Sequence, residues 1–196
     1  MHNVKPMDRQ EKFEKQTGEL YQAIGKCAVK FEHVTFTLQQ AITFLLHKGG
    51  LQNQRLTHVL LADLTASPLK SIFQAMIPES YPLSGEEQTI CDKIFVRTQK
   101  LIERRNEIIH STWFVGWASP TDTDFSEVAG TKQARGKRGA DYKNFNHTAM
   151  TFEVFARECE QVGDLLRLLS ACVSNDYRIT NNFLIDADGN VSISNC

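Results

Sequence analysis

The chain has 196 residues, 41% of them hydrophobic and 23% charged, enough for one sizeable core and too few to require a second domain. Its 22 Lys and Arg against 23 Asp and Glu leave a net charge of -1, which excludes a uniformly basic nucleic-acid coat and confines any contact with RNA to a local patch. The longest apolar run, Ala41 to Leu46 with Thr43 inside it, falls far short of the ~20 residues that cross a bilayer. With a polar N-terminus unlike a signal peptide, this predicts a cytoplasmic protein with no membrane partner.

In chain order, Leu20, Ile24, Ala28, Phe31, Leu38, Ile42 and Leu45 recur at steps of three, four or seven, the period of an amphipathic helix, which Gly49-Gly50 should end. A shorter helix is expected over Gln52 to Leu64. A third should begin at Pro68 with Ser67 as its cap, because proline in the first helical position sacrifices no hydrogen bond, and Pro78 and Pro82 should close it. Ser84-Gly85-Glu86-Glu87 reads as a capping box, in which the Ser84 hydroxyl and the Glu87 carboxylate each satisfy an orphan backbone donor. A long helix then runs to about His110. Trp113 to Trp117 reads as a short strand, and residues 118 to 147, rich in Gly, Ser, Thr, Asp and Lys, as a loop or hairpin insertion. Phe152, Phe155, Cys159, Val162, Leu166, Leu169 and Val173 mark a final helix. Two apolar runs around Asp188-Gly189 suggest a terminal hairpin with a tight turn, and the acidic run lacks the glycine offset and distal glutamate of a calcium loop.

Three long helices plus shorter ones predict a mainly α, antiparallel up-and-down bundle. It would form a single domain over residues 1 to 196, with a core of about 18 to 175, an insertion of about 112 to 148 and a tail of 176 to 196.

The five cysteines, Cys27, Cys91, Cys159, Cys172 and Cys196, form no C-x-x-C pair, and the four on predicted helices are expected to be buried free thiols. His2, His33, His47, His58 and His147 show no metal-ligand spacing, and glycine-rich phosphate loops and nucleophile elbows are missing from the sequence. No metal and no cofactor is therefore expected. Lys132, Arg135, Lys137, Arg138 and Lys143 against the single acid Asp141, with Gly136 and Gly139 between, form a basic segment that is either an RNA contact or a solvated loop. Trp113 and Trp117, on one side of the expected strand, would either cap the core or stack a base.

On a helical wheel, Ile90, Ile94, Phe95, Leu101, Ile102, Ile108 and Ile109 share one arc, with Arg105 near its middle. An arginine cannot lose its charge, so a partner must face it: Glu32 of the first helix, as a simple staple, or an anionic ligand. Asn106 and His110, four residues apart, share a face that the Arg105 side chain can reach.

The Arg105-Asn106-x-x-x-His110 stretch resembles the R-(polar)-x3-H signature of the HEPN superfamily. The Ser111-Thr112-Trp113 that follows it and the Ala-Ile-Gly-x5-Phe-Glu run with Gly25 and Glu32 in the first helix are similar as well. The resemblance covers about residues 18 to 175 and implies a HEPN-like bundle. It further implies a metal-independent endoribonuclease with RNA as substrate, in which His110 moves the proton, Arg105 holds the scissile phosphate and Asn106 orients one of the two. Products would end in 2',3'-cyclic phosphate and DNA would resist. The likeness also implies a homodimer with both His110 residues lining one cleft and the 132 to 143 segment near its rim. The role would be that of the toxin of a toxin-antitoxin or phage-defence system, with an antitoxin or defence protein as partner. The alternative, also common in the superfamily, is a non-catalytic module that binds a partner protein, nucleotide or RNA.

Overall fold

The computed structural model describes residues 8 to 136 and 139 to 194; His2, Lys137, Arg138 and Cys196, on which some of the expectations fall, lie outside the described residues. The fold is mainly α, with a small antiparallel sheet component. The helices are α1 (Arg9–Lys48), α2 (Gln54–Leu61), α3 (Ala66–Ser80), α4 (Gly85–Ile109) and α5 (Ala149–Ser174). Between α4 and α5 come β1 (Thr112–Trp113), β2 (Glu127–Gly136) and β3 (Gly139–Thr148), paired in that order. After α5, a 3-10 turn (Ile179–Asn181) leads into the two-stranded pair β4 (Phe183–Ile185) and β5 (Val191–Ile193). Among the described residues no helix is long and apolar enough to cross a membrane.

Local chemistry explains where the elements begin and stop. Helix α1 starts eleven residues before Leu20, because Phe13 and the buried Thr17 carry the apolar stripe back by further turns. Asn53 sets the start of α2 by accepting the Arg55 N–H at 3.1 Å, and Asp63, with φ +60°, takes the left-handed conformation that ends helical continuation beyond it. Helix α3 starts before the expected Ser67 cap: Thr65 is the N-cap and Pro68 the third helical residue, where its missing N–H is still one of the helix's orphans. Pro78 does not stop α3. It sits in the last turn, and the Tyr81 N–H closes the helix on the Ile77 carbonyl at 2.9 Å, one residue before Pro82.

The capping box at α4 is as expected, the Glu87 N–H donating to Ser84 Oγ at 3.3 Å and the Ser84 N–H to Glu87 Oε2 at 3.0 Å. The strand expected over Trp113 to Trp117 is only Thr112–Trp113, because Gly116 at φ +79° turns the chain away and the Trp117 N–H folds back on the Phe114 carbonyl at 3.2 Å. The terminal hairpin forms, but with a five-residue loop instead of a tight turn. Asp186 accepts the Asn190 N–H at 2.8 Å, and Gly189, at φ +80°, donates its N–H to the Asp186 carbonyl at 2.9 Å.

The chain divides into two compact units, the described residues up to Val29 with Arg105–Arg157, and Lys30–Arg104 with the described residues from Glu158 onward. The first buries Leu20, Cys27, Ile108, Val128, Phe152 and Phe155. The segment before β2, part of the expected loop or hairpin insertion, is a loop tied to α1. Arg9 donates to the Asp122 and Ser119 carbonyls at 2.9 and 3.1 Å, Lys12 donates to the Thr123 carbonyl at 2.7 Å, and Phe13 meets Phe125 edge-on at 5.0 Å. The second unit is built around Leu38, Ile42, Leu69, Phe73, Ile94, Leu166 and Leu169, each at most 1% exposed. Burying each such side chain stabilises by about 1.5–3 kcal/mol. Cys27, Cys91, Cys159 and Cys172 are buried, and the Cys27 thiol donates to the Phe152 carbonyl at 3.0 Å.

Candidate functional site at the end of helix α4

A helix leaves its last four carbonyls without intrahelical partners, and a cation in the final turn commonly answers them. Helix α4 has no basic residue in its last turn. Its carbonyls are instead met from outside the helix: Lys132 Nζ donates to the Asn106 oxygen at 3.1 Å, Ser111 Oγ to that of Glu107 at 2.5 Å, and Trp113 Nε1 to that of Ile108 at 2.8 Å.

The sheet register brings these groups there. Thr112 pairs with Thr131 and Trp113 with Gly130, and the Phe114 N–H continues the ladder to the Ala129 carbonyl at 2.9 Å. Gly130 has to be glycine, since a Cβ there would overlap the Trp113 ring lying across it. That ring packs edge-on against Phe152 and lies 5.2 Å from the His147 ring. Trp113 is thus a core and capping residue, while Trp117 is 80% exposed and contacts Phe114 at 4.9 Å.

Lys132 sits directly opposite Lys143 in the β2/β3 register, so the two side chains leave the same face of the hairpin. Opposed like charges repel. Here both face negative potential, Lys132 the carboxyl end of α4 and Lys143 the Glu107 carboxylate at 2.9 Å.

Arg105 and Asn106 are half-buried, and the Arg105 guanidinium donates to Asn106 Oδ1 at 3.2 Å. His110 is the first residue beyond α4; it is exposed, and no side-chain hydrogen bond of its imidazole is seen among the described residues. Of the candidate residues, then, Arg105, Asn106, Lys132 and Lys143 meet around the end of α4, with His110 following it in the chain. Arg135 is exposed farther along β2, paired with Ala140. Ile109, placed on the apolar arc by the wheel, is 38% exposed because the helix ends there.

Glu87 is the residue whose importance exceeds its sequence signal. Beyond its capping role, its 1%-exposed carboxylate accepts the Tyr81 hydroxyl at 3.0 Å and the Ile179 N–H at 3.1 Å, and faces Arg178 Nε at 3.3 Å. Burial alone would raise its pKa. The Ser84 N–H and hydroxyl, the Tyr81 hydroxyl and the Ile179 N–H outweigh that effect and hold it below the ordinary 4.5. Burial and the neighbouring Glu87 raise the pKa of Tyr81 in turn. Only the Ser84/Glu87 spacing was visible in the sequence, since Ile179 lies 92 residues away.

Among the described residues no group of three or more His, Cys, Asp or Glu is placed to hold a metal ion. Comparison of the chain with family models, curated proteins and solved structures finds no match.

Proposed function

We propose that the chain is a HEPN-type endoribonuclease acting at the end of α4. The observation that carries this reading is the Arg105–Asn106 hydrogen bond near the end of α4, with an exposed imidazole just beyond the helix and two lysines drawn to the same helix end. In this reaction His110 takes the ribose 2'-hydroxyl proton, the 2'-oxygen attacks phosphorus, and the bond to the 5'-oxygen breaks as that oxygen regains a proton. The products are a 2',3'-cyclic phosphate and a 5'-hydroxyl. Arg105 holds the non-bridging phosphate oxygens, its geometry fixed by Asn106, and its permanent charge offsets the charge developing on them. Lys132, Lys143 and Arg135 supply the basic path for the RNA backbone.

Further proposals go with this reading. The chain folds as a HEPN-like bundle and acts in the cytoplasm. It works as a homodimer that brings two α4 ends together, as the toxin of a toxin-antitoxin or phage-defence system whose partner protein restrains it.

The test is incubation of purified protein with total RNA in the presence of EDTA, wild type beside His110→Ala. Cleavage should continue in the chelator, yield cyclic-phosphate ends and fall by roughly 10²- to 10⁴-fold in the variant. An unchanged rate in folded His110→Ala, or loss of cleavage in EDTA, would refute the assignment. A second reading, a non-catalytic module that binds RNA or a partner, draws on the use of Lys132, Ser111 and Trp113 in capping α4, a purely structural duty. It predicts RNA retention in a gel-shift assay with no cleavage products.

A further inference from the structure

We propose a second ligand site in the Lys30–Arg104 and Glu158–Cys196 unit, a groove between the last turns of α1 and α5 that takes a nucleoside monophosphate.

The groove has a volume of about 460 Å³, within the ~300–1,000 Å³ usual for small-molecule clefts. One helix contributes Gln40, Phe44, His47 and Lys48, the other Arg167, Ser170 and Ser174, each set recurring at three- and four-residue steps that keep it on one helix face. No residue lining the groove is acidic.

Two hydroxyls here are anomalous. Thr37 and Thr43 in α1, Ser71 in α3 and Thr98 in α4 each return the hydroxyl to the carbonyl four residues back at 2.8–3.1 Å. Ser170 and Ser174, one turn apart, do not. Their covered Oγ atoms are the buried side-chain polar atoms without a hydrogen-bond partner among the described residues, and Ser170 as a whole is 4% exposed. A buried polar group left unpaired is disfavoured and calls for a partner that is only sometimes present. Both residues line the groove, and a rotation about Cα–Cβ that uncovers the hydroxyls is what the proposed ligand would draw on.

The remaining groups define that partner. Phe44 is 52% exposed, an open aromatic face on which a planar base can stack. Serine hydroxyls donate and accept, as the edge of a base requires, and Gln40 adds an amide. Arg167 offers a planar fork and His47 a ring nitrogen to a phosphate. Lys48 already donates to Asp176 at 2.6 Å and to the Val173 and Ser80 carbonyls at 2.7 and 3.2 Å, and Arg167 already pairs with Asp164, so the phosphate meets His47 and a guanidinium it shares with a carboxylate, with Lys48 contributing only its charge. Binding weaker than nanomolar is therefore expected.

The test is calorimetric titration of the full chain with the four nucleoside 5'-monophosphates, and separately with the parent nucleosides and with inorganic phosphate. At least one monophosphate should bind once per chain, about tenfold or more tightly than its nucleoside or phosphate alone. Phe44→Ala and Arg167→Gln should each weaken binding by about tenfold. The Ser170→Ala/Ser174→Ala double variant should lose binding without a lower melting temperature, because its hydroxyls have no partner to forfeit. His110→Ala should bind like the wild type, separating this groove from the end of α4. Any of four results would overturn the proposal: no saturable heat with any monophosphate up to about 1 mM, binding indifferent to the Phe44 and serine substitutions, a melting temperature lowered in the double serine variant, or binding abolished by His110→Ala.

Discussion

Removing the Glu87 carboxylate should be among the most damaging single changes available in this chain. Glu87→Ala strips a partner from the Tyr81 hydroxyl and the Ile179 N–H, both on residues no more than 5% exposed, and from the Ser84 N–H of the capping box. A buried donor left unpaired costs about 1–3 kcal/mol, and half a capping box about 1 kcal/mol. The contact to Arg178, whose side chain is 64% exposed, adds little because solvent screens it. The expected loss is about 3–5 kcal/mol. Glu87→Gln should lose about 1–3 kcal/mol, because its oxygen can keep both donors now on Oε1 while its amide opposes only the Ser84 N–H. Urea unfolding followed by circular dichroism at pH 7 measures both. A Glu87→Ala loss below about 1 kcal/mol, or equal losses in the two variants, would refute the reasoning. The pH dependence gives an independent check. With its folded pKa below 4.5, Glu87 contributes stability that is fully present above that value and fades as pH falls through the folded one. Glu87→Gln should therefore show a flatter acid limb than the wild type, and parallel limbs would contradict the assignment.

Gly130→Ala should destabilise by about 1–3 kcal/mol through overlap with the Trp113 ring and shift the tryptophan emission; unchanged melting and emission would deny that the ring rests on Gly130. Burial and the nearby acids Asp92 and Glu87 push the Cys91 thiol up to about 12, so it should resist alkylation in the folded protein at pH 8 and react once unfolded in urea; fast labelling of the native state would disprove this. Lys132→Met should cost about 1 kcal/mol by uncapping the Asn106 carbonyl, against less for Lys143→Met, whose ion pair is exposed; the reverse order in melting experiments would count against the capping role.

What the sequence makes legible is local. The Ser84/Glu87 box, the three-and-four stripe of α5 and the terminal apolar runs each encode structure within a few residues, and each forms. Pro68 misplaces the start of α3, because proline is as tolerable at the third helical position as at the first. The β2/β3 hairpin is hard to read since residues 139 to 144 of β3 are exposed on both faces and carry no apolar alternation; what marks it is only the Gly136 and Gly139 pair that faces across the register. Partners far apart in the chain leave no local trace. Neither the Lys132 bond to the Asn106 carbonyl, 26 residues away, nor the Ile179 bond to Glu87 could be read from spacing.

That difference in legibility decides which substitution can test the chemistry at the end of α4. Most polar groups in this stretch already hold the helix end together. Arg105 is bonded to Asn106, Asn106 offers its carbonyl to Lys132, Glu107 pairs with Lys143, and Ser111 and Trp113 cap the helix. Loss of RNA cleavage on replacing any of them would confound chemistry with the packing of the helix end. The His110 side chain is exposed and shows no hydrogen bond among the described residues, so its removal leaves no cavity and no orphaned partner. His110→Ala should therefore melt within about 0.5 kcal/mol of the wild type while its cleavage rate falls by roughly 10²- to 10⁴-fold. Lys132→Met should move stability and cleavage together. If His110→Ala instead loses stability in step with activity, the histidine belongs to the scaffold of the helix end, and the motif resemblance describes how α4 is closed rather than what it cleaves.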